Sequence, residues 1–364
     1  RIYQGWSKKV YERKRENGVE VVRSWHLTHS SRRVHVRAAV YVSQALAAAI
    51  GAYCERQADV VLVFGPPLVG PNLGAIVAAY HRAKLVNVIY DIYPDVAIET
   101  GKVTSQVFVG AARFAERIQY GVSDVTIVLS EGFKRTLIER GVPESRIAVI
   151  PVWLDQEEIR PLDRDNAWRR EQGITLDKFV VMYAGTIGVV SGAAMVADAA
   201  ALLGDREDVL ILFVGEGEEK TRLEARANEL RLRNIRFLPF QPRERLSEVL
   251  STADVGLVTL SPGRGRTSVP SKVLGYMAAA RPTIASVDED SDTAIDIVKG
   301  QFGVVLPPSD PVALADCIIE MSCEPMRLQH MSDNARGHFC KTYSKNRVLH
   351  QFKELLEALV SSKG

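Results

Sequence analysis

A basic, glycine-containing run, SPGRGRTSVPSK at 261–272, holds the residues best suited to chemistry. It places Arg264, Arg266 and Lys272 just ahead of a stretch with helical spacing. The free N–H groups at a helix N-terminus attract anions, and arginine and lysine add charge and donors for phosphate oxygens. A lysine in a first helical turn is disfavoured by the helix dipole unless something negative sits there. The run therefore predicts a phosphate or diphosphate site, and a solvated basic loop is the alternative.

Two glycine-rich turns follow apolar strands that we expect in the same sheet as the basic run. They are YAGTIGVVSG at 183–192 and FVGEGEE at 213–219. The second resembles part of a dinucleotide fingerprint but lacks the third glycine, so a tight structural turn is the alternative. The candidate ligand-binding residues at these turns are Gly185, Thr186, Gly215 and Glu216.

Carboxylates stand at two further strand ends. Asp91, in YDIYPD at 90–95, is suited to hydrogen-bonding a sugar hydroxyl or acting as a base, with a turn-capping aspartate as the alternative. Asp95 is a weaker candidate of the same kind. The acidic run 287–298 offers Ser291 or Asp292 as a helix N-cap, and one carboxylate there is suited to ribose hydroxyls.

The elements that must position these residues alternate between short apolar strands and helices. This pattern predicts two successive parallel sheets, each covered on both faces and binding ligands at the carboxyl ends of its strands. A polar stretch at 153–177 is interpreted as the linker between them. The predicted strands are 58–65, 85–92, 124–130, 147–152, 178–185, 209–215, 235–240, 254–260, 282–286 and 303–307, and the predicted helices include 72–83, 106–122, 131–141, 292–300 and 346–362.

Composition limits the class of protein. The chain has 364 residues, of which 46% are hydrophobic and 25% charged, which is typical of a globular protein of two domains. The net charge of +2 does not favour a nucleic-acid partner. The four cysteines lack metal-ligand spacing. No apolar run reaches the roughly 18 residues needed to span a bilayer, and no leader peptide is expected.

The stretch 25–53 begins basic and becomes an alanine-rich apolar helix. Arg32, Arg33 and Arg37 cluster near its start. Such a segment could rest on an anionic membrane surface, and a long domain helix with a charged N-terminal loop is the alternative.

These residues together resemble the retaining GT-B glycosyltransferases of family 4, within the O-antigen, colanic acid and capsule subgroup and its L-fucosamine transferases. The resemblance covers nearly the whole chain. It rests on DIYPD at 91–95, on 129–155, on VMYAGTIG at 181–188 and on VPSKVLGYMAAARPTIAS at 269–286.

The resemblance implies an α/β fold with two doubly wound Rossmann-like domains facing across a cleft. The acceptor-binding domain would be 1–155, joined by the final helix 346–362, and the donor-binding domain would be 156–345. Departure of the diphosphate would be assisted by Lys272 with Arg264 or Arg266, while Asp91 would orient the acceptor. The implied donor-binding set is Gly185, Thr186, Gly215, Glu216, Arg264, Arg266, Ser271, Lys272, Asp292 and Thr293, and the implied acceptor-binding set is Phe64, Gly65 and Asp95.

The same resemblance implies a UDP-sugar donor, a lipid-linked saccharide acceptor and no metal or other cofactor. It also implies a cytoplasmic protein, peripheral on the inner face of the plasma membrane. Two other functions stay open. One is a nucleotide-sugar 2-epimerase on the same fold, and the other is a non-catalytic partner subunit.

The chain departs from the family pattern in three places. The family's first strand, glycine-rich loop and helix are absent ahead of Arg1, so about 50 residues are expected to precede it in the family's layout. The family's paired glutamates fall at Thr267 and Gly275, which leaves Asp292 as the first candidate for the ribose contact. The Arg and Lys that usually follow the YAG strand are replaced by Thr186 and neutral residues, and Val152 stands where Asn is frequent.

Overall fold

The computed structural model describes residues 9–29, 34–65, 68–95, 105–188, 191–204, 206–263 and 271–362. The chain forms two compact units. The first comprises Arg1–Ile150 with Gln351–Gly364, and the second comprises Pro151–His350. The sequence-based division lies slightly later, after residue 155.

The first unit contains a four-stranded parallel sheet in the order β3-β4-β5-β6. Serine side chains begin two of its helices, because Ser105 accepts from the Phe108 N–H and Ser130 from the Phe133 N–H. The strands are β3 Val60–Phe64, β4 Lys84–Ile89, β5 Val125–Val128 and β6 Ile147–Val149, and the helices are α1 Val34–Tyr53, α2 Gly70–His81, α3 Gln106–Val122 and α4 Glu131–Glu139.

An antiparallel hairpin precedes this sheet, formed by β1 Tyr11–Glu16 and β2 Val19–Ser24. Its turn is Asn17-Gly18, with φ angles of 51° and 85°. Positive φ at both central residues matches the right-handed twist of the paired strands. This hairpin was not predicted, although an Asn-Gly pair is a typical signal of such a turn.

The second unit contains a six-stranded sheet, all parallel, in the order β12-β11-β10-β7-β8-β9. Its central strands are fully buried, as near-continuous apolar sequences predict for a sheet covered on both faces. The strands are β7 Phe179–Ala184, β8 Val209–Val214, β9 Ile235–Leu238, β10 Val255–Thr259, β11 Thr283–Ser286 and β12 Gly303–Leu306.

The helices of the second unit lie between and after these strands. Pro311 and Pro325 each stand in the first turn of a helix, where the missing N–H is not needed. The helices are α5 Ala167–Glu171, α6 Met195–Leu202, α7 Lys220–Glu229, α8 Leu246–Ser251, α9 Lys272–Ala278, α10 Asp292–Gly300, α11 Pro311–Ser322, α12 Pro325–Thr342 and α13 Lys345–Ser361.

The stretch 153–177, interpreted from its polarity as a linker, groups with the second unit. Many of its residues are exposed, but Trp168 and Arg169 in α5 are both fully buried. The Arg169 guanidinium donates to four backbone carbonyls, those of Ile174, Thr175, Lys178 and Thr252. These hydrogen bonds fix α5 within the second unit.

The final helix, α13, agrees with the predicted helix 346–362 to within one residue at each end. Its residues from Gln351 onward group with the first unit. Within that unit the Phe352 ring lies 6.5 Å from the Phe64 ring.

Helix α1, Val34–Tyr53, lies within the stretch 25–53 that the sequence indicates to be basic at first and then helical. Its segment His35–Tyr53 is long and apolar enough to cross a membrane by length and composition alone. This finding differs from the expectation that no run is long enough. One such helix near the start of a chain does not by itself establish a membrane span.

Candidate functional site

The exits of β7 and β8 meet backbone against backbone. The Gly185 N–H donates to the Val214 carbonyl at 2.9 Å, and the Ile187 N–H donates to the Glu216 carbonyl at 3.0 Å. A Cβ on Gly215 would lie 2.0 Å from the Gly185 carbonyl oxygen. A side chain at position 215 is therefore excluded, and two glycine-rich turns that the sequence singled out lie side by side.

The Lys272 side chain lies along Gly185. A Cβ on Gly185 would be 2.9 Å from Lys272 Cε, and Gly185 has a φ of 133°, which disfavours other residues. The Lys272 ammonium stands 4.8 Å from the centroid of the buried Tyr183 ring. The structure thus brings together Lys272 and Gly185, which the sequence placed in one site from separate stretches.

Tyr276, one turn after Lys272, fixes α9 to β7. Its hydroxyl donates to the Met182 carbonyl at 2.7 Å and accepts from the Ala184 N–H at 2.8 Å. The ring is fully buried against Gly256, where a Cβ would lie 2.3 Å from the ring carbons. Sequence reasoning missed this positioning residue, and a glycine inside strand β10 was the available signal.

Thr186 and Glu216 are exposed at the same edge of the sheet. The Thr186 carbonyl accepts from the Tyr183 hydroxyl at 2.9 Å. The Glu216 carboxylate forms an ion pair with Lys220 at 2.8 Å. Of the basic run, Ser271 is exposed and Lys272 half-buried, and the predicted Arg264 and Arg266 lie outside the described residues.

Residues of the acidic run 287–298 have two structural roles: one caps helix α10, and another holds the loop at Gly263. Ser291 is the N-cap of α10, since its hydroxyl accepts from the Ala294 N–H at 3.1 Å. Asp292 is half-buried and Thr293 is buried at the start of the same helix. Asp288, which the sequence analysis did not select, accepts from the Gly263 N–H at 2.9 and 3.1 Å. Asp288 therefore contacts the start of the basic run directly.

Asp292 is near enough to the half-buried Tyr343 for its charge to act on that side chain. Burial, followed by the charge of Asp296, raises the pKa of Tyr343, and the charge of Asp292 adds to this shift. Asp296 accepts from the Tyr343 hydroxyl at 2.8 Å. The predicted ribose role of Asp292 stays a prediction.

The second position of the family's glutamate pair, Gly275, is buried. A Cβ there would lie 3.3 Å from Leu250 Cδ1. A larger side chain would displace Leu250 and bring a carboxylate into apolar surroundings. The other position, Thr267, lies outside the described residues.

In the first unit, Asp91 and Gly65 line one cavity of about 220 Å³ beyond the ends of β3 and β4. Burial raises the pKa of the Asp91 carboxyl, although the side chain still reaches solvent. Phe64 is 48% exposed and its ring lies 6.1 Å from the Tyr90 ring. These predicted residues therefore share one edge of the sheet with a cavity.

Asp95 belongs to an ion network. Its carboxylate pairs with Arg113 at 2.5 Å and also with Arg140. Arg140 pairs in turn with Glu116, which is 3% exposed. The network joins the end of the YDIYPD loop to α3 and α4, so the Asp95 carboxylate is already engaged within the protein.

Asn87 is a further cavity residue that sequence reasoning missed. It stands in the apolar strand β4, is 1% exposed, and lines the same cavity as Asp91. Its Nδ2 has no hydrogen-bond partner among the described residues. A single polar residue within LVNVI was the signal that could have identified it.

A metal site is not evident in the part of the chain that the structure describes. Within it, no three His, Cys, Asp or Glu side chains are grouped as a metal ion would require. Among the described residues, the Lys272 ammonium provides positive charge near the end of β7.

Two family models match the chain. One, described as glycosyl transferases group 1, matches residues 164–338, and the other, a glycosyl transferase 4-like domain, matches residues 5–153.

Curated relatives agree with these models. A protein of Pseudomonas aeruginosa named as a probable glycosyltransferase, WbjE, is 26% identical over 281 residues, which cover 76% of this chain and 69% of WbjE. WcaI of Escherichia coli, named as a glycosyl transferase for colanic acid biosynthesis, is 27% identical over 66% of this chain and 59% of WcaI.

Solved structures share the fold. HepE of Anabaena, solved with UDP and glucose, has a TM-score of 0.68 at 18% identity, over 86% of this chain and 80% of HepE. Sucrose-phosphate synthase of Thermosynechococcus elongatus has a TM-score of 0.74 at 17% identity, over 98% of this chain and 86% of the synthase. The two Rossmann-like units and these structures define the class as the GT-B enzymes. The chain is a glycosyltransferase whose first part matches the glycosyl transferase 4-like domain and whose second part matches glycosyl transferases group 1.

Proposed function

We propose that the protein transfers a sugar, with retention, from a UDP-sugar to a lipid-linked saccharide during assembly of a bacterial surface polysaccharide such as O-antigen or colanic acid. The observation that carries the proposal is the Lys272 side chain lying along Gly185 at the exit of β7. Support for the nucleotide comes from HepE, which was solved with UDP. Support for the polysaccharide comes from WcaI, which is named for colanic acid biosynthesis.

In the proposed reaction, the bond between the sugar's anomeric carbon and the β-phosphate oxygen breaks. The acceptor oxygen bonds to the same carbon on the same face. The acceptor's hydroxyl proton goes to the departing phosphate oxygen, so no strong protein base is needed. Lys272 stabilises the charge on the diphosphate, and Asp91 orients the acceptor hydroxyl. In this proposal, positively charged side chains such as Lys272 balance the charge of the diphosphate without a metal ion.

Replacing Lys272 tests the donor site. We expect Lys272→Ala to weaken UDP binding at least about tenfold, because it removes the charge at the glycine turns. Isothermal titration with UDP measures this. Lys299→Ala is the matched control, since Lys299 is exposed in the last turn of α10. Unchanged UDP affinity in Lys272→Ala, or an equal loss in the control, contradicts the proposed site.

Product analysis separates the alternatives. Labelled UDP-N-acetylglucosamine incubated without acceptor would yield an epimeric nucleotide sugar from a 2-epimerase. A non-catalytic subunit would bind the UDP-sugar and transfer nothing to any acceptor. A labelled lipid-linked product with the anomeric configuration of the donor supports the transferase.

We further propose that the protein works at the inner face of the plasma membrane. Helix α3 supports this, because apolar side chains recur on the side of it that faces solvent. Val107 and Phe114 on its outer side are 84% and 67% exposed, and Ile118 and Val122 are 40% and 42% exposed. With Ala111 they recur at helical spacing as one stripe, named here the outer α3 stripe. Arg117 on the flank of the stripe is exposed, which suits an anionic lipid surface.

A further inference from the structure

The cavity beside Asp91 contains a polar group that the fold itself does not explain. Asn87 is 1% exposed, and its Nδ2 has no partner among the described residues. An unmade hydrogen bond on a buried polar atom costs about 1–3 kcal/mol. Valine or isoleucine at this position would avoid that cost in a strand that is otherwise apolar. A ligand that completes the hydrogen bonds of Asn87 accounts for its presence.

The size of the cavity and the residues that line it limit which ligands can bind there. The volume of about 220 Å³ is several times the ~30 Å³ that one water molecule occupies in the liquid. Val88, Pro71, Tyr90 and Tyr93 line it together with the polar residues Asn87, Asp91 and Gln119. A small group that is partly apolar and also forms hydrogen bonds suits this lining.

We propose that this cavity binds the acetamido group of an N-acetylhexosamine in the acceptor. A carboxamide and a secondary amide are complementary, since each has one N–H donor side and one carbonyl acceptor. Asn87 would exchange hydrogen bonds with the acetamido group, and the methyl would pack on the apolar walls. Asp91 lines the same cavity and would take a ring hydroxyl of the same sugar. This inference rests on the proposed function, because it names the acceptor class for that site.

A plain hexose is a poorer fit on the same grounds. It has a hydroxyl at the position of the acetamido group and no methyl to fill the apolar part of the cavity. The preference for an N-acetylhexosamine over a plain hexose would therefore come from the hydrogen bonds of Asn87 and from the contact of the acetamido methyl group. A site built to hydrogen-bond a substrate group rejects analogues that lack it.

The test measures sugar binding without any donor. Methyl glycosides of N-acetylglucosamine and of glucose are titrated into the protein and followed by ligand-observed NMR. We expect the N-acetylated sugar to bind about tenfold tighter, and Asn87→Leu, which keeps the approximate shape, to lose that preference. Asn234→Leu is the matched control, because Asn234 in the second unit is also buried with an unpartnered amide atom. It should keep the preference.

Equal binding of the two glycosides overturns the inference, and so does a preference that survives Asn87→Leu. A cavity that holds only water gives no saturable binding of either sugar, which also overturns it. If Asn87→Leu does not fold, Asn87→Ser gives the same readout with a smaller side chain.

The assay also distinguishes this inference from the proposed function. Lys272→Ala should leave the sugar preference unchanged, since Lys272 lies in the second unit. Absence of transfer together with an intact preference would remove the proposed reaction but not the acetamido site.

Discussion

At the scale of single residues, the pKa of Asp91 links the structure to a pH profile. Burial raises this pKa, so the carboxyl takes up a proton at a higher pH than an ordinary aspartic acid. If the ionised form orients the acceptor hydroxyl, transfer rises as the pH rises through the raised pKa.

We expect Asp91→Asn to flatten this acid limb of kcat/KM and to lower kcat/KM about 10- to 100-fold at neutral pH. Asparagine still accepts a hydrogen bond but cannot ionise. Transfer rates measured across the acidic range in both proteins check this. An acid limb of the same position and depth in Asp91→Asn would assign the limb to another group.

The residues of the candidate site differ in how far the sequence predicted them. Lys272 and Gly185 were placed together because both follow parallel strands, and topology alone brings such ends to one edge. Asn87 and Asp288 were missed, since their roles depend on what surrounds them in three dimensions. Asp95 is a candidate whose partners, Arg113 and Arg140, come from helices that the sequence did not relate to it.

At the scale of elements, α5 depends on a buried cation. Arg169 is fully buried, and burial lowers the pKa of its guanidinium. Each of the four carbonyls around it would lose one donor if the side chain became apolar, and only the Thr175 carbonyl has a further donor, the Lys178 N–H, among the hydrogen bonds of the described residues.

We expect Arg169→Met to lower the free energy of unfolding of the second unit by about 3–5 kcal/mol, because it leaves buried carbonyls unsatisfied. Urea denaturation measures the change. Its neighbour Arg170 has a side chain that is 62% exposed, so Arg170→Met serves as the control with an expected effect within about 0.5 kcal/mol. Equal effects of the two substitutions would rule out the carbonyl network as the cause.

Elements with strong periodicity were predicted well, and those fixed by tertiary contacts were not. Helices α3 and α10 have the predicted bounds. The stretch 153–177, interpreted as a linker, groups with the second unit, where Trp168 and Arg169 are buried. Helix α12 was not predicted, because its sequence is polar and contains Gly337, which is unfavourable within a helix.

At the scale of the whole molecule, the outer α3 stripe is the surface that we propose contacts the membrane. The sequence offers Arg32, Arg33 and Arg37 as another candidate membrane contact, with a charged loop ahead of a long domain helix as the alternative. The first two lie outside the described residues, and the Arg37 guanidinium donates to the Tyr41 hydroxyl at 2.6 Å.

We expect the double substitution Phe114→Glu and Ile118→Glu to reduce binding to vesicles containing phosphatidylglycerol at least about tenfold. It removes apolar area from the lipid contact and adds repulsion from anionic headgroups. Vesicle co-sedimentation measures binding. Val298→Glu with Met326→Glu is the matched control in the second unit, where these side chains are 67% and 84% exposed. Equal losses, or no loss from the α3 pair, would exclude the stripe as the contact.

The contact between Gly275 and Leu250 has a consequence for how related sequences diverge. A Cβ at position 275 would lie 3.3 Å from Leu250 Cδ1, so a side chain there requires the leucine to shift by a few tenths of an ångström. We therefore expect relatives that carry glutamate at 275 to differ at or around position 250. An alignment of relatives would show this as covariation between the two positions.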